Sequence, residues 1–232
     1  MPIDDVSPMP GMVSLKKITV GQLMTNCYVI GSAGECAILD PGGNSKLIIN
    51  YIKESRLVPK YILATHGHFD HVLAVDELKK QFNAKFIISS KEVPIMRESE
   101  KLIGEFIQGA VFKAPSPDQT FMGHITIRIG EIDIDGNEYP GHTPGSTIFS
   151  FDRNLMTGDT LFAGGIGRID VGGSETDMVE SLWKLWKIGE DYKVYPGHGE
   201  PTTIRREKMV NTIFKYAAEE KSLPKSIGSR IL

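Results

Sequence analysis

Thr65-His66-Gly67-His68-Phe69-Asp70-His71 is the stretch on which the reading of this chain turns. It holds three of the six histidines in the sequence, a clustering that random placement hardly ever produces. Directly before it runs Tyr61-Ile-Leu-Ala64, a continuous apolar segment of buried-strand type. The histidines therefore leave the end of a strand, where a loop can project side chains into a pocket. His66 and His68 are two apart and face the same side of an extended segment, while Asp70 and His71 continue the turn toward a second point. One loop can thus address two metal ions. Imidazole nitrogen and carboxylate oxygen suit zinc, iron or manganese, and the absence of thiolate argues against a closed structural zinc site.

Working outward, three more segments supply single donors beside glycine, each after a strand: Pro140-Gly-His142-Thr-Pro-Gly145, Thr157-Gly-Asp159 and Tyr195-Pro-Gly-His198-Gly199. Glycine lets the backbone turn tightly and leaves room for a ligand. Any one of these alone would read as a loop hydrogen-bonder; together they change the odds. His124 has no such context and reads as a surface or strand histidine.

Around these segments the patterning alternates short strands with helices. Strands are expected at Leu15 to Val20, Cys27 to Ile30, Ala37 to Leu39, Lys85 to Ile88, Ile125 to Ile129, Glu131 to Asp135, Ser146 to Phe151 and Lys193 to Tyr195. Helices are expected at Lys46 to Glu54, Val75 to Phe82, Lys91 to Gln108 and, as one final element, Arg205 to Lys221. Asp135-Gly-Asn137 reads as a turn. Ser174 and Asp177 resemble a capping box opening another helix, whose Met178, Leu182 and Leu185 recur on one face beside Val179, Trp183 and Trp186 as a core stripe. Both halves mix strands and helices, which suggests sheets inside and helices outside. No linker interrupts the middle, so residues 13–232 read as a single domain behind an acidic, proline-rich leader at 1–12.

Composition bounds the function. The 232 residues are 41% hydrophobic and 24% charged, ordinary for a soluble globular chain. A net charge of −3 offers no positive field for nucleic acid. No secretory signal is read at the amino terminus and no apolar run approaches the roughly 20 residues of a membrane span, so a cytoplasmic protein without a membrane partner is expected. Cys27 and Cys36 make neither a disulfide framework nor a zinc knuckle and read as buried free thiols.

The ordered set THGHFDH, GHTPGS, TGD and YPGHG resembles the metallo-β-lactamase-fold hydrolases from about Leu15 to Thr203, and within them the glyoxalase II-like (hydroxyacylglutathione hydrolase-like) branch. The resemblance implies an α+β fold, a four-layer αβ/βα sandwich of two mixed sheets with helices outside and a metal site at one edge. It implies one metal on His66, His68 and His142, another on Asp70, His71 and His198, and Asp159 bridging them. Asp40, in Leu39-Asp-Pro-Gly-Gly43, matches the early aspartate that orients a ligand histidine, beside the plain alternative of a turn residue before proline. Cys27 and Cys36 match no ligand position.

Two divalent ions, zinc foremost with iron or manganese as alternatives, can share a water and bring its pKa from near 16 to around 7. The expected reaction is attack of the bridging hydroxide on an acyl carbon, with Asp70 orienting it. The segment from Gly158-Asp-Thr-Leu-Phe162 through Gly167-Arg168 is similar to the thioesterase branch, which implies a small-molecule thioester such as an S-2-hydroxyacyl glutathione as substrate. Arg168 could fork onto a substrate carboxylate, or onto Asp170 as a structural pair; sequence leaves both open. One departure concerns the thiol: hydroxyacylglutathione hydrolases carry a longer helical tail, whereas here only about 30 residues follow Thr203. The competing class is a persulfide dioxygenase with one iron on His66, His142 and Asp159; a lactonase, nuclease or other ester hydrolase ranks lower. A homodimer is compatible with all of these.

Overall fold

The computed structural model describes residues 13–106, 108 and 111–224; the expected leader at 1–12 lies outside them. In chain order the first half consists of β1 (Ser14–Val20), β2 (Thr25–Ser32), β3 (Glu35–Leu39), α1 (Ser45–Glu54), β4 (Val58–Leu63), α2 (Phe69–Val72), α3 (Val75–Phe82), β5 (Lys85–Ser89), α4 (Glu92–Phe106) and β6 (Gln119–Phe121). The second half consists of β7 (His124–Ile129), β8 (Ile132–Glu138), β9 (Thr147–Phe151), β10 (Asn154–Gly158), β11 (Leu161–Phe162), β12 (Gly165–Ile166), α5 (Glu175–Trp186), β13 (Lys193–Pro196), β14 (Thr202–Thr203), α6 (Ile204–Val210) and α7 (Thr212–Glu220).

Two six-stranded mixed sheets form, in the orders β1-β2-β3-β4-β5-β6 and β14-β13-β10-β9-β8-β7, beside a two-stranded β11-β12 ribbon. Along β2 every residue is buried, which a strand needs when both of its faces are covered. Cys27 and Val29 pack toward Ile48, Ile52, Val75 and Leu78 of the helices, while Tyr28 and Ile30 pack toward Ile134, Phe149 and Met156 of the facing sheet. On the far side Ile148, Leu155 and Val194 meet Met178, Leu182, Leu185, Ile213 and Phe214. The layers therefore run helix, sheet, sheet, helix, the four-layer sandwich expected. Among the described residues no helix is long and apolar enough to cross a membrane.

Three local expectations change. Asp135-Gly-Asn137 is no turn: β8 continues to Glu138, with Gly136 paired to both Ile125 and Phe149. A Cβ there would stand 2.7 Å from Phe149 Cε1 and 2.9 Å from Ile125 Cγ2, so the glycine serves close packing and not chain reversal. The final helix is broken at Asn211, whose extended backbone (ψ 96°) ends α6 and whose side chain caps α7 by accepting from the Phe214 amide. In α5 the Ser174 cap and the Met178, Leu182 and Leu185 core stripe stand, but Trp183 is partly exposed beneath Lys187. Cys27 and Cys36 are buried and free.

Candidate metal centre

Four loops leave strand ends at one edge of the sandwich, and backbone hydrogen bonds stitch the sheets together there. Thr147 N donates to Thr65 O at 2.8 Å and Asn26 N to Gly197 O at 2.7 Å, while within the second sheet Gly197 N donates to Gly158 O at 2.8 Å. After β4 the chain bends at Thr65 and His66, is extended at His68 (φ −66°, ψ 144°) and then coils into the single turn of α2, so His66 and His68 precede a helical step that presents Asp70 and His71. His142 comes in before β9, Asp159 from the end of β10 and His198 from the end of β13.

These side chains meet. His66, His68 and His142 bring ligand atoms within 4.8 Å of one another, and so do Asp70, His71 and His198; His66, His71 and Asp159 form a third such group overlapping both. His68 Nδ1 lies 3.0 Å from His142 Nε2. Asp159 sits between the sets, Oδ1 3.4 Å from His71 Nε2 and Oδ2 3.7 Å from His142 Nε2 and 3.6 Å from His198 Nε2. Asp70 Oδ2 is 3.2 Å from His198 Nε2 and accepts the Thr25 hydroxyl at 2.9 Å. Gly197 permits this crowding: a Cβ there would reach into the Asp159 carboxylate and lie 2.7 Å from His71 Cε1.

Three of the imidazoles are held by their outer nitrogen. His142 Nδ1 donates to Arg168 O at 2.6 Å, His68 Nε2 to Val171 O at 3.2 Å and His198 Nδ1 to Leu23 O at 3.0 Å. A carbonyl only accepts, so the proton sits on that nitrogen and the inward one keeps its lone pair. His66 Nδ1 faces the Thr65 hydroxyl at 3.1 Å, and His71 Nδ1 stands 3.1 Å from Asp40 Oδ2. Asp40 also accepts from the Thr65 amide at 2.7 Å and the Thr65 hydroxyl at 2.8 Å. It stands directly behind His71, reached from a left-handed backbone (φ 52°) that aspartate tolerates.

The inward atoms suit a cation and little else. His66 Nε2, His71 Nε2 and Asp159 Oδ1 are buried without a hydrogen-bond partner, an arrangement that native interiors rarely leave unexplained. Burial and the neighbouring histidines hold His66 well below the usual range, and burial brings His142 to about 4. His71 goes the other way: burial opposes its charge, but Asp70, Asp40 and Asp159 outweigh that and raise it to about 10. Three carboxylates around one ring demand positive charge, and neutral imidazoles beside them are ready to ligate it. The residues present fit divalent metal.

Arg168 is not drawn into this cluster by its guanidinium, which forks onto Asp170 (Nε to Oδ1 2.8 Å, Nη2 to Oδ2 2.7 Å) at an exposed position; its carbonyl is what touches the site. His124 lies exposed on β7. Sequence reasoning missed the carbonyls of Leu23, Arg168 and Val171, which any residue type can supply. It also missed Thr25 and the buried Glu92, because an acid in the first turn of a helix reads as an ordinary helix-start residue.

Comparison with known proteins agrees with this architecture. Residues 20–198 match the family described as the Metallo-beta-lactamase superfamily. The chain is 34% identical over 200 residues to "Probable metallo-hydrolase YqgX" of Bacillus subtilis, covering 84% of this chain and 95% of that protein. It is 35% identical over 212 residues to "Hydroxyacylglutathione hydrolase GloC" of Haemophilus influenzae, covering 86% and 97%. Among solved structures, the BLEG-1 B3 metallo-beta-lactamase superposes with a TM-score of 0.80 at 33% identity over 87% of this chain and 99% of that one. TTHA1623 in a di-iron-bound form gives 0.77 at 27% identity over 85% and 98%. The chain belongs to the metallo-beta-lactamase superfamily.

Proposed function

We propose that this metallo-hydrolase is a binuclear thioesterase that cleaves small S-2-hydroxyacyl thiol conjugates of the S-2-hydroxyacyl glutathione type. The observation that carries the reading is Asp159, whose carboxylate stands between the two donor sets, 3.4 Å from His71 and 3.6 Å from His198 of one set and 3.7 Å from His142 of the other, where a single carboxylate could serve both ions. His66, His68 and His142 would hold one ion and Asp70, His71 and His198 the other, zinc first and iron or manganese as alternatives. Divalent metal at such a centre supplies Lewis acidity toward a carbonyl and a water acidic enough to be deprotonated near pH 7.

The chain's own residues do the rest. Asp70, whose Oδ2 accepts from the Thr25 hydroxyl, would orient the attacking water. Asp40, itself held by the Thr65 amide and hydroxyl, keeps His71 in one ring orientation. No protein thiol serves as nucleophile, because burial pushes Cys27 well up and Cys36 to about 12. Similarity to a protein named hydroxyacylglutathione hydrolase supports the thioester class. The similarity to a di-iron-bound structure keeps iron in play.

The test is elemental analysis of protein purified without added metal, read beside S-D-lactoylglutathione hydrolysis and oxygen uptake with glutathione persulfide. Two metal equivalents with thioester turnover is the expected result. One iron with oxygen consumption and no hydrolysis would replace the thioesterase by a dioxygenase.

A further inference from the structure

Glu92 opens α4 with no accessible surface at all. No cation among the described residues neutralises it, and its charged neighbour is the like-charged Glu138, itself paired to Lys91. Burying a lone carboxylate is costly unless several hydrogen bonds compensate. Those bonds come from two loops that are far apart in sequence. Oε2 accepts the Gly67 amide at 2.7 Å and Oε1 accepts the Gly145 amide at 2.6 Å; the Thr143 hydroxyl adds a third.

Gly67 lies between His66 and His68, and Gly145 follows His142 by three residues. The seat is tight on both sides. A Cβ on Gly67 would meet Glu92 O at 2.6 Å and Met96 N at 2.9 Å, and one on Gly145 would meet Glu92 Oε1 at 2.9 Å. The first turn of α4 is therefore wedged between the two loops, and one carboxylate spans them.

We propose that Glu92 is a positioning residue that pins the His66–His68 loop to the His142 loop, setting the distance at which these three histidines receive their metal ion. The proposal rests on the ligand set given under Proposed function. A neutral side chain of the same size loses the clamp: glutamine offers one acceptor oxygen, and its amide group would point N–H against N–H at the other loop.

The test is cobalt titration of the metal-free protein, followed by visible absorption, for wild type, Glu92→Gln and a stability control, Leu182→Ala, which lies in the opposite helical layer. Wild type should take two equivalents. In Glu92→Gln one equivalent should weaken about 10- to 100-fold, the usual effect of losing a partner behind the ligands, while the other stays within about threefold. Leu182→Ala should lower unfolding stability and leave both affinities in place. Unchanged affinities in Glu92→Gln, or equal weakening of both, would overturn the clamp while leaving two-metal binding by wild type intact.

If wild type binds a single ion, the two-metal reading fails. The clamp is then judged on that ion, which both loops still ligate. Should Glu92→Gln not fold, Glu92→Asp, too short to span both amides, is titrated in its place. Should that also fail, amide exchange in the wild-type holoprotein decides: slow exchange at both Gly67 and Gly145 supports the clamp, and fast exchange at either one removes it.

Discussion

The two halves of the sandwich supply the centre in different ways. The first half delivers His66, His68, Asp70 and His71 in one run after β4; the second delivers His142, Asp159 and His198 one at a time from three loops. The supports differ as well. His66 and His71 are held within their own half by Thr65 and Asp40, whereas His68 leans on Val171 O of the second half and His198 on Leu23 O of the first. A contiguous ligand run can be built by one loop, but ring orientation at the centre depends on how the two sheets pack. Stability of the sandwich and geometry of the site are thereby coupled.

The strongest way to break this comparison is at the residue both halves share. Asp159→Ala should abolish two-metal binding and reduce thioester turnover by about 10³-fold, the rate equivalent of the several kcal/mol that a metal centre contributes; metal content and initial rates check it. Retention of both ions would mean that the halves bind metal independently. Asp40→Ala, which acts inside the first half alone, should cost about 10- to 100-fold in metal affinity. In a competition with a chromophoric chelator the loss should fall on the ion at His71, the other being nearly unaffected.

Packing variants sharpen the contrast between layers. Leu182→Ala, between the second sheet and its helices, should cost about 2–5 kcal/mol in urea unfolding. Gly136→Ala, between the sheets, should cost about 1–3 kcal/mol by overpacking against Phe149. Although it is the milder of the two, Gly136→Ala is the one expected to weaken metal binding, because it distorts β8, the strand that leads into the His142 loop, whereas Leu182 lies in the helical layer. Equal metal affinity in both variants would uncouple packing from ligand geometry. Arg168→Ala should change least: with the guanidinium engaged by Asp170 and the carbonyl retained, KM for the thioester should stay within about threefold, the scale of an exposed pair. A tenfold rise in KM would assign the guanidinium to a substrate carboxylate.

Much of this was legible beforehand where the physics is local. Strand period, the Ser174 cap and the apolar stripe of α5 depend on neighbours a few residues away, and the structure reproduces them. Asp135-Gly-Asn137 misled because turn chemistry and close sheet packing both favour glycine, and only the Phe149 ring across the strand distinguishes them. The break at Asn211 was hidden because its apolar period runs on across it, while its amide is engaged by the distant Gly165 carbonyl and by Glu207.

The sequence by itself determined which donors exist and which loops carry them, since residue type and glycine spacing are written in the chain. Only the tertiary structure decided which nitrogen of each histidine faces inward, that Asp159 stands between the two sets, that Arg168 contributes its carbonyl, and that Glu92 ties two loops together. Apart from the Thr65–His66 contact, each of these is a contact between groups tens of residues apart, much of it to backbone atoms that every residue shares. Such contacts leave no mark in composition or period until the two sheets close on one another.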